Sequence, residues 1–162
     1  MNRTSFMENP EQRTLTVRRT FEAPLSKVWA AWTQKELLEK WWAPAPWKAV
    51  SKAFEFREGG RWHYYMEGPE GERHWCLVDY VSIETPKRFT AHDAFCDENA
   101  NINTALPGTD WNNEFNGDGA RTHVHVTLTF VTAEDMKRLV EMGFKQGFSA
   151  GLDQLDALLS AN

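Results

Sequence analysis

A chain of 162 residues is long enough to bury a core of its own, and its net charge of −5 has the wrong sign for a general nucleic-acid binder. Basic residues form isolated pairs (Arg18-Arg19, Lys137-Arg138) rather than a stripe, and no apolar run approaches membrane-spanning length. The two cysteines, Cys76 and Cys96, stand far apart without metal or redox spacing, which predicts reduced thiols in a cytoplasmic protein.

Residues 1–12 are polar and aperiodic and read as a loose tail, followed by one domain over 13–162. Leu15, Val17, Arg19 and Phe21 share one face of a first strand, with Arg19 an imperfection in it. Pro24 suits the first turn of a helix that carries Val28, Trp29 and Trp32. A second short helix follows, with Thr33 as its expected cap and Glu36 three residues on, and runs to Trp41-Trp42. Six β-segments come next. Val50, Lys52, Phe54 and Phe56 share a face, as do Trp62, Tyr64 and Met66, with Gly59-Gly60 turning between them. The strand over 72–83 is about equally apolar on both faces, so alternation does not choose its inward side. A strand over 88–95, a polar loop over 96–110 and a hairpin around residues 116–119 complete the set.

From 133 to 159 Met136, Val140, Phe144, Phe148, Leu152, Leu155 and Leu159 trace one face of a single long helix. Thr132 is its expected cap. Gly143, Gly147 and Gly151 form a second stripe, each costing about 1 kcal/mol against alanine. Such a stripe implies either a close backbone approach or room for a cavity. Strand, two short helices, six strands and a long helix give an α+β fold: a curved antiparallel sheet of about seven strands roofed by the last helix.

Residues 23–33 (Ala-Pro-Leu-Ser-Lys-Val-Trp-Ala-Ala-Trp-Thr), Leu37-Leu38 and Trp41-Trp42-Ala43-Pro44 resemble the opening of the SRPBCC proteins, and more narrowly homologues of the activator of heat-shock protein 90 ATPase. The similarity continues through 54–62, Pro69-Glu70-Gly71, Pro86-Lys87-Arg88, 95–99 and Glu141-Met142-Gly143-Phe144, and covers about 14–159. The resemblance implies the helix-grip fold of START domains and the birch pollen allergen, with a hydrophobic cavity between sheet and last helix. It does not imply one activity, since members include lipid carriers, cyclases and co-chaperones.

The candidate cavity set is Phe54, Phe56, Trp62, Tyr64, Trp75 and Phe89 with Phe95, Trp111, Phe115, Phe144, Gly147 and Phe148. These rings are either a solid core or the lining of a ligand site, and the glycine stripe favours the second. Asp79, His92 and Asp93 are the polar groups able to orient a ligand or serve as acid or base. His92 and Asp93 are adjacent in a strand, so at most one faces inward. His123 and His125 share the outward face of their strand, and the Asp97 to Asn103 loop lacks the glycine and glutamate that calcium requires, so neither is read as a metal site. No cofactor is expected. The leading expectation is binding of a small hydrophobic or amphipathic molecule. The alternatives are a co-chaperone module that stimulates a heat-shock protein 90 ATPase, and a cyclase- or hydrolase-type enzyme using the same cavity. Exposure of Trp41-Trp42, or an edge strand, would allow a homodimer.

Overall fold

The computed structural model describes residues 4–161. Its order is β1 (Ser5–Asn9), β2 (Thr14–Phe21), α1 (Leu25–Thr33), α2 (Lys35–Trp41), β3 (Lys48–Phe54), β4 (Arg61–Glu67), β5 (Arg73–Glu84), β6 (Arg88–Phe95), β7 (Thr109–Asp118), β8 (Arg121–Thr129), α3 (Ala133–Glu141) and α4 (Phe144–Ser160). All eight strands form one antiparallel sheet in the order β1-β2-β8-β7-β6-β5-β4-β3. The expected α+β arrangement, an antiparallel sheet closed by a long C-terminal helix, is the observed one.

The additional strand lies in the segment read as a tail. Pro10 to Arg13 make a tight turn, with Arg13 at φ 57, and fold Ser5–Asn9 back along β2. Phe6 thereby packs against the core. Five residues are too few for alternation to announce such a strand.

Arg19, the imperfection in β2, is buried and ties the sheet to the roof. Its guanidinium donates to Asp153 at 2.6 Å, to Asp156 at 3.3 Å and to the Thr4 hydroxyl at 2.9 Å. An arginine on an apolar face is tolerated because α4 carries its acceptors.

The terminal helix is two helices. Met142 and Gly143 break it, and Gly143, at φ +95, adopts the left-handed conformation that a side chain would resist. Thr132 caps α3 as expected, accepting the Asp135 N–H at 3.0 Å. Thr132→Ala should lower stability by about 1 kcal/mol, visible as a reduced urea midpoint at unchanged slope. Thr33 does not cap α2: its hydroxyl donates back to the Trp29 carbonyl at 2.8 Å, and Gln34 occupies the cap position.

Gly151 is where α4 crosses the end of α2. A β-carbon there would stand 3.1 Å from the Trp41 carbonyl oxygen and 3.2 Å from that of Trp42. One turn on, Gln154 donates to the Trp41 and Ala43 carbonyls at 2.9 and 2.8 Å and accepts the Ala45 N–H at 2.7 Å. Trp41 is fully buried, its indole bonded to the Ala31 carbonyl, so the Trp41-Trp42 pair is no exposed dimer patch. Trp42 is itself half-buried amid Trp62, Trp111 and Phe148.

Candidate functional site

Strand register decides which side chains look toward the helices. Tyr64 pairs with Cys76 and Trp62 with Val78, so Cys76, Val78 and Tyr80 share the inward face with Trp62 and Tyr64, and a bulge after Tyr80 shifts that face to Ile83. The outward face of β5 is apolar for a different reason. Leu77 and His63 are buried on the convex side, where the 96–103 loop covers them and the Asp97 carbonyl meets His63 Nε2 at 3.0 Å. A covering loop on one face and helices on the other explain why both faces of β5 are apolar in sequence.

This corrects three expected site residues. Trp75 lies on the convex side against Tyr65 and His63, with Lys52 over its ring. Asp79 also points outward and pairs with Arg61 at 2.7 Å. His92 is exposed and meets Asp110 at 2.8 Å.

Inward-facing rings divide into a solid end and a hollow end. At the solid end Trp29, from α1, meets Phe56, Phe89 and Phe115 edge-on at 6.0, 5.9 and 5.1 Å. Phe54 and Phe56 close against Tyr80. Phe54, Phe56 and Phe115, all expected to line the cavity, are therefore displaced from its wall by packing, with the tryptophans of α1 filling the space above Phe56 and Phe115. Trp62 and Phe89, also expected there, border only a small recess beside it.

Under α3 and the start of α4 lies a cavity of about 410 Å³. Tyr64, Phe95, Trp111, Phe144, Gly147 and Phe148 of the expected set border it. So do Trp42, Trp47, Met66, Leu139 and Met142, none of which belonged to the expected set. Half-buried and exposed members of the wall, Met142 and His74 among them, mark its mouth. Gly147 faces open space: a β-carbon there would meet only Pro44, at 3.9 Å. The three glycines of the stripe thus do three different things, a break at 143, a wall at 147 and a close crossing at 151.

Four polar side chains belong to this wall: Tyr64, Cys76, Asp93 and Thr109, with His74 toward the mouth. Asp93 carries the only carboxyl among them and neither lysine nor arginine is present. Its Oδ2 accepts the Trp111 indole N–H at 2.7 Å. Burial pushes its pKa up to about 7, an effect that the bonds from Trp111 and Thr109 and the neighbouring His92 only partly offset. Burial also raises the Cys76 thiol to about 12 and holds the Tyr64 phenol well above its usual range. Tyr64 accepts the Trp42 indole N–H at 2.8 Å.

Behind Asp93 the cavity has a neighbour, a recess of about 30 Å³ that Trp42, Asp93 and Trp111 also border. Trp32, Tyr80 and Asn113 complete its polar wall. Trp32 and Asn113 are buried, and among the described residues Trp32 Nε1 and Asn113 Oδ1 have no hydrogen-bond partner. Asn113 was missed in sequence, although an asparagine between the inward Trp111 and Phe115 is a signal in itself. The His123 and His125 pair stands on the outer face of β8, with His123 on Thr20 and Asp118. Asp97 spends its carboxylate on the N–H groups of Asn99 and Asn101, at 2.9 Å each.

Comparison with known proteins agrees with this architecture. Protein Ms6760 of Mycobacterium smegmatis is 31% identical over 98% of each chain, with a TM-score of 0.90. A protein of Arthrobacter aurescens is also 31% identical, over 98% of this chain and 92% of its own, at 0.92. One from Staphylococcus epidermidis is 26% identical over 97% and 94%, at 0.84. Among curated proteins none matches. The family model for activator of Hsp90 ATPase homolog 1-like proteins matches residues 22–160. With that match spanning both short helices, the sheet from β3 onward and the divided roof, the chain belongs to the activator of Hsp90 ATPase homolog 1-like family.

Proposed function

We propose that this protein binds one small hydrophobic or amphipathic molecule between the sheet and the α3–α4 roof. The observation that carries the reading is the cavity itself, about 410 Å³ with aromatic and methionine walls. That volume falls in the range of small-molecule sites, which are mostly apolar with a few placed polar groups. Burying apolar ligand surface there supplies roughly 25 cal/mol per Å² before the cost of association. The polar groups suit orientation better than attack, because burial keeps Cys76 a thiol and Tyr64 a phenol at neutral pH.

Gly147 offers the test. Its missing side chain opens onto the cavity, so Gly147→Leu should fill the site without disturbing the sheet. The expected result is an affinity for an environment-sensitive apolar fluorophore lowered by about tenfold, with an unchanged circular dichroism spectrum. Undiminished uptake by the folded variant would refute the reading.

A further inference from the structure

We infer that the ligand is a neutral amphiphile whose polar end is a hydroxyl, an alcohol or a phenol, seated in the recess behind Asp93. The inference rests on the proposed cavity function and concerns which end of which molecule enters first. Among the described residues, the fully buried polar atoms of the recess that lack a partner are one donor, the Trp32 indole N–H, and one acceptor, the Asn113 carbonyl oxygen. Asn113 is fixed in that orientation because its amide nitrogen donates to the Phe89 carbonyl at 3.4 Å. Both residues are only 2% exposed, so bulk water does not serve them.

Buried polar atoms without partners are costly, and native interiors nearly always satisfy them. A hydroxyl is the small group that answers both at once, donating to Asn113 Oδ1 and accepting from Trp32 Nε1. Other head groups fail for stated reasons. A carboxylate would face Asp93 with no cation in the wall of either space. An ammonium has no lone pair for the Trp32 N–H and would be desolvated among indoles. An ether accepts but cannot donate. The size agrees as well: about 30 Å³ holds a group the size of one water. The chain of such a molecule would run out past Asp93 and Trp111, which border both spaces, into the larger cavity.

The test compares four probes of one chain length by displacement of an apolar fluorophore from the full chain at neutral pH: dodecanol, dodecyl methyl ether, dodecanoate and dodecyltrimethylammonium. Dodecanol should bind about tenfold more tightly than the ether, and both charged probes more weakly still, because a missing partner leaves the recess unsatisfied. Trp32→Phe keeps a ring but removes the donor, and Asn113→Leu removes the acceptor. Asn113→Leu should shrink the preference for dodecanol over the ether to about threefold or less, whereas Trp32→Phe should weaken both probes together, since each accepts from the indole N–H. If Asn113→Leu does not fold, the wild-type ranking together with the joint weakening of both probes by Trp32→Phe decides. Equal affinity for alcohol and ether, or a preference that survives Asn113→Leu, would overturn the proposal and assign the recess to an ordered water only. Failure of the fluorophore to bind at all would instead remove the cavity function on which this inference stands.

Discussion

Asp93→Asn should be more stable than the wild type at about pH 8, by on the order of 3 kcal/mol, while the two proteins agree within about 1 kcal/mol near pH 4. In the unfolded chain the Asp93 carboxyl ionises near its ordinary value of 3.8, whereas in the fold it does so at about 7. Between those values the unfolded state holds fewer protons than the folded one, so stability falls as pH rises through the window and levels off above it. The amide has no charge to desolvate and still accepts from the Trp111 indole. Groups facing Asp93 do not cancel the effect. Tyr64 on β4 and Cys76 on β5 stay neutral, α3 and α4 contribute no charged wall residue, and neighbouring His92 turns outward to Asp110. Urea unfolding at about pH 4, 6 and 8 should therefore show a decline for the wild type that the variant lacks. Parallel profiles for the two proteins would mean that Asp93 is solvated.

Gly151 and Gly147, one helical turn apart, should respond to substitution with opposite sign. At Gly151 a β-carbon meets two backbone carbonyl oxygens at 3.1 and 3.2 Å, and these cannot yield cheaply because Gln154 clamps the same turn. Gly151→Val adds two methyl groups beyond that contact and should cost about 3 kcal/mol, more than the helix propensity it gains. At Gly147 the nearest atom is 3.9 Å away, so Gly147→Ala should stabilise by about 0.5–1 kcal/mol through propensity alone. Thermal melts of the two variants beside the wild type check both signs. A Gly151→Val protein as stable as the wild type would show that α4 does not press on the end of α2.

Much of the architecture was legible because local signals agreed with one another. Gly59-Gly60 and the alternation around Trp62 and Tyr64 are read without tertiary help, and so are Pro24 and the Thr132 cap. What misled were residues answerable to distant partners. Arg19 looks wrong in β2 until Asp153 and Asp156 arrive from α4. The two faces of β5 cannot be told apart until the 96–103 loop is laid over one of them. The helix break at Gly143 hides inside an unbroken apolar period, since Phe144 resumes the same face.

The site was harder to read than the fold. Parity correctly limits His92 and Asp93 to one inward member, but only register with β5 and β7 shows which. Alternation assigns Phe56, Phe89 and Phe115 to the inner face, and it is silent on whether a helix tryptophan fills the space above them. Trp42, Met66 and Met142 were not assigned to the cavity because each sits at an element end, where periodicity has least to say.

The separation of a filled end from an empty end divides labour along the molecule. Rings beneath α1 hold the halves together, while the wall beneath α3 bears little of that duty. Met142, exposed at the mouth, should therefore be replaceable without disturbing the ring cluster beneath α1.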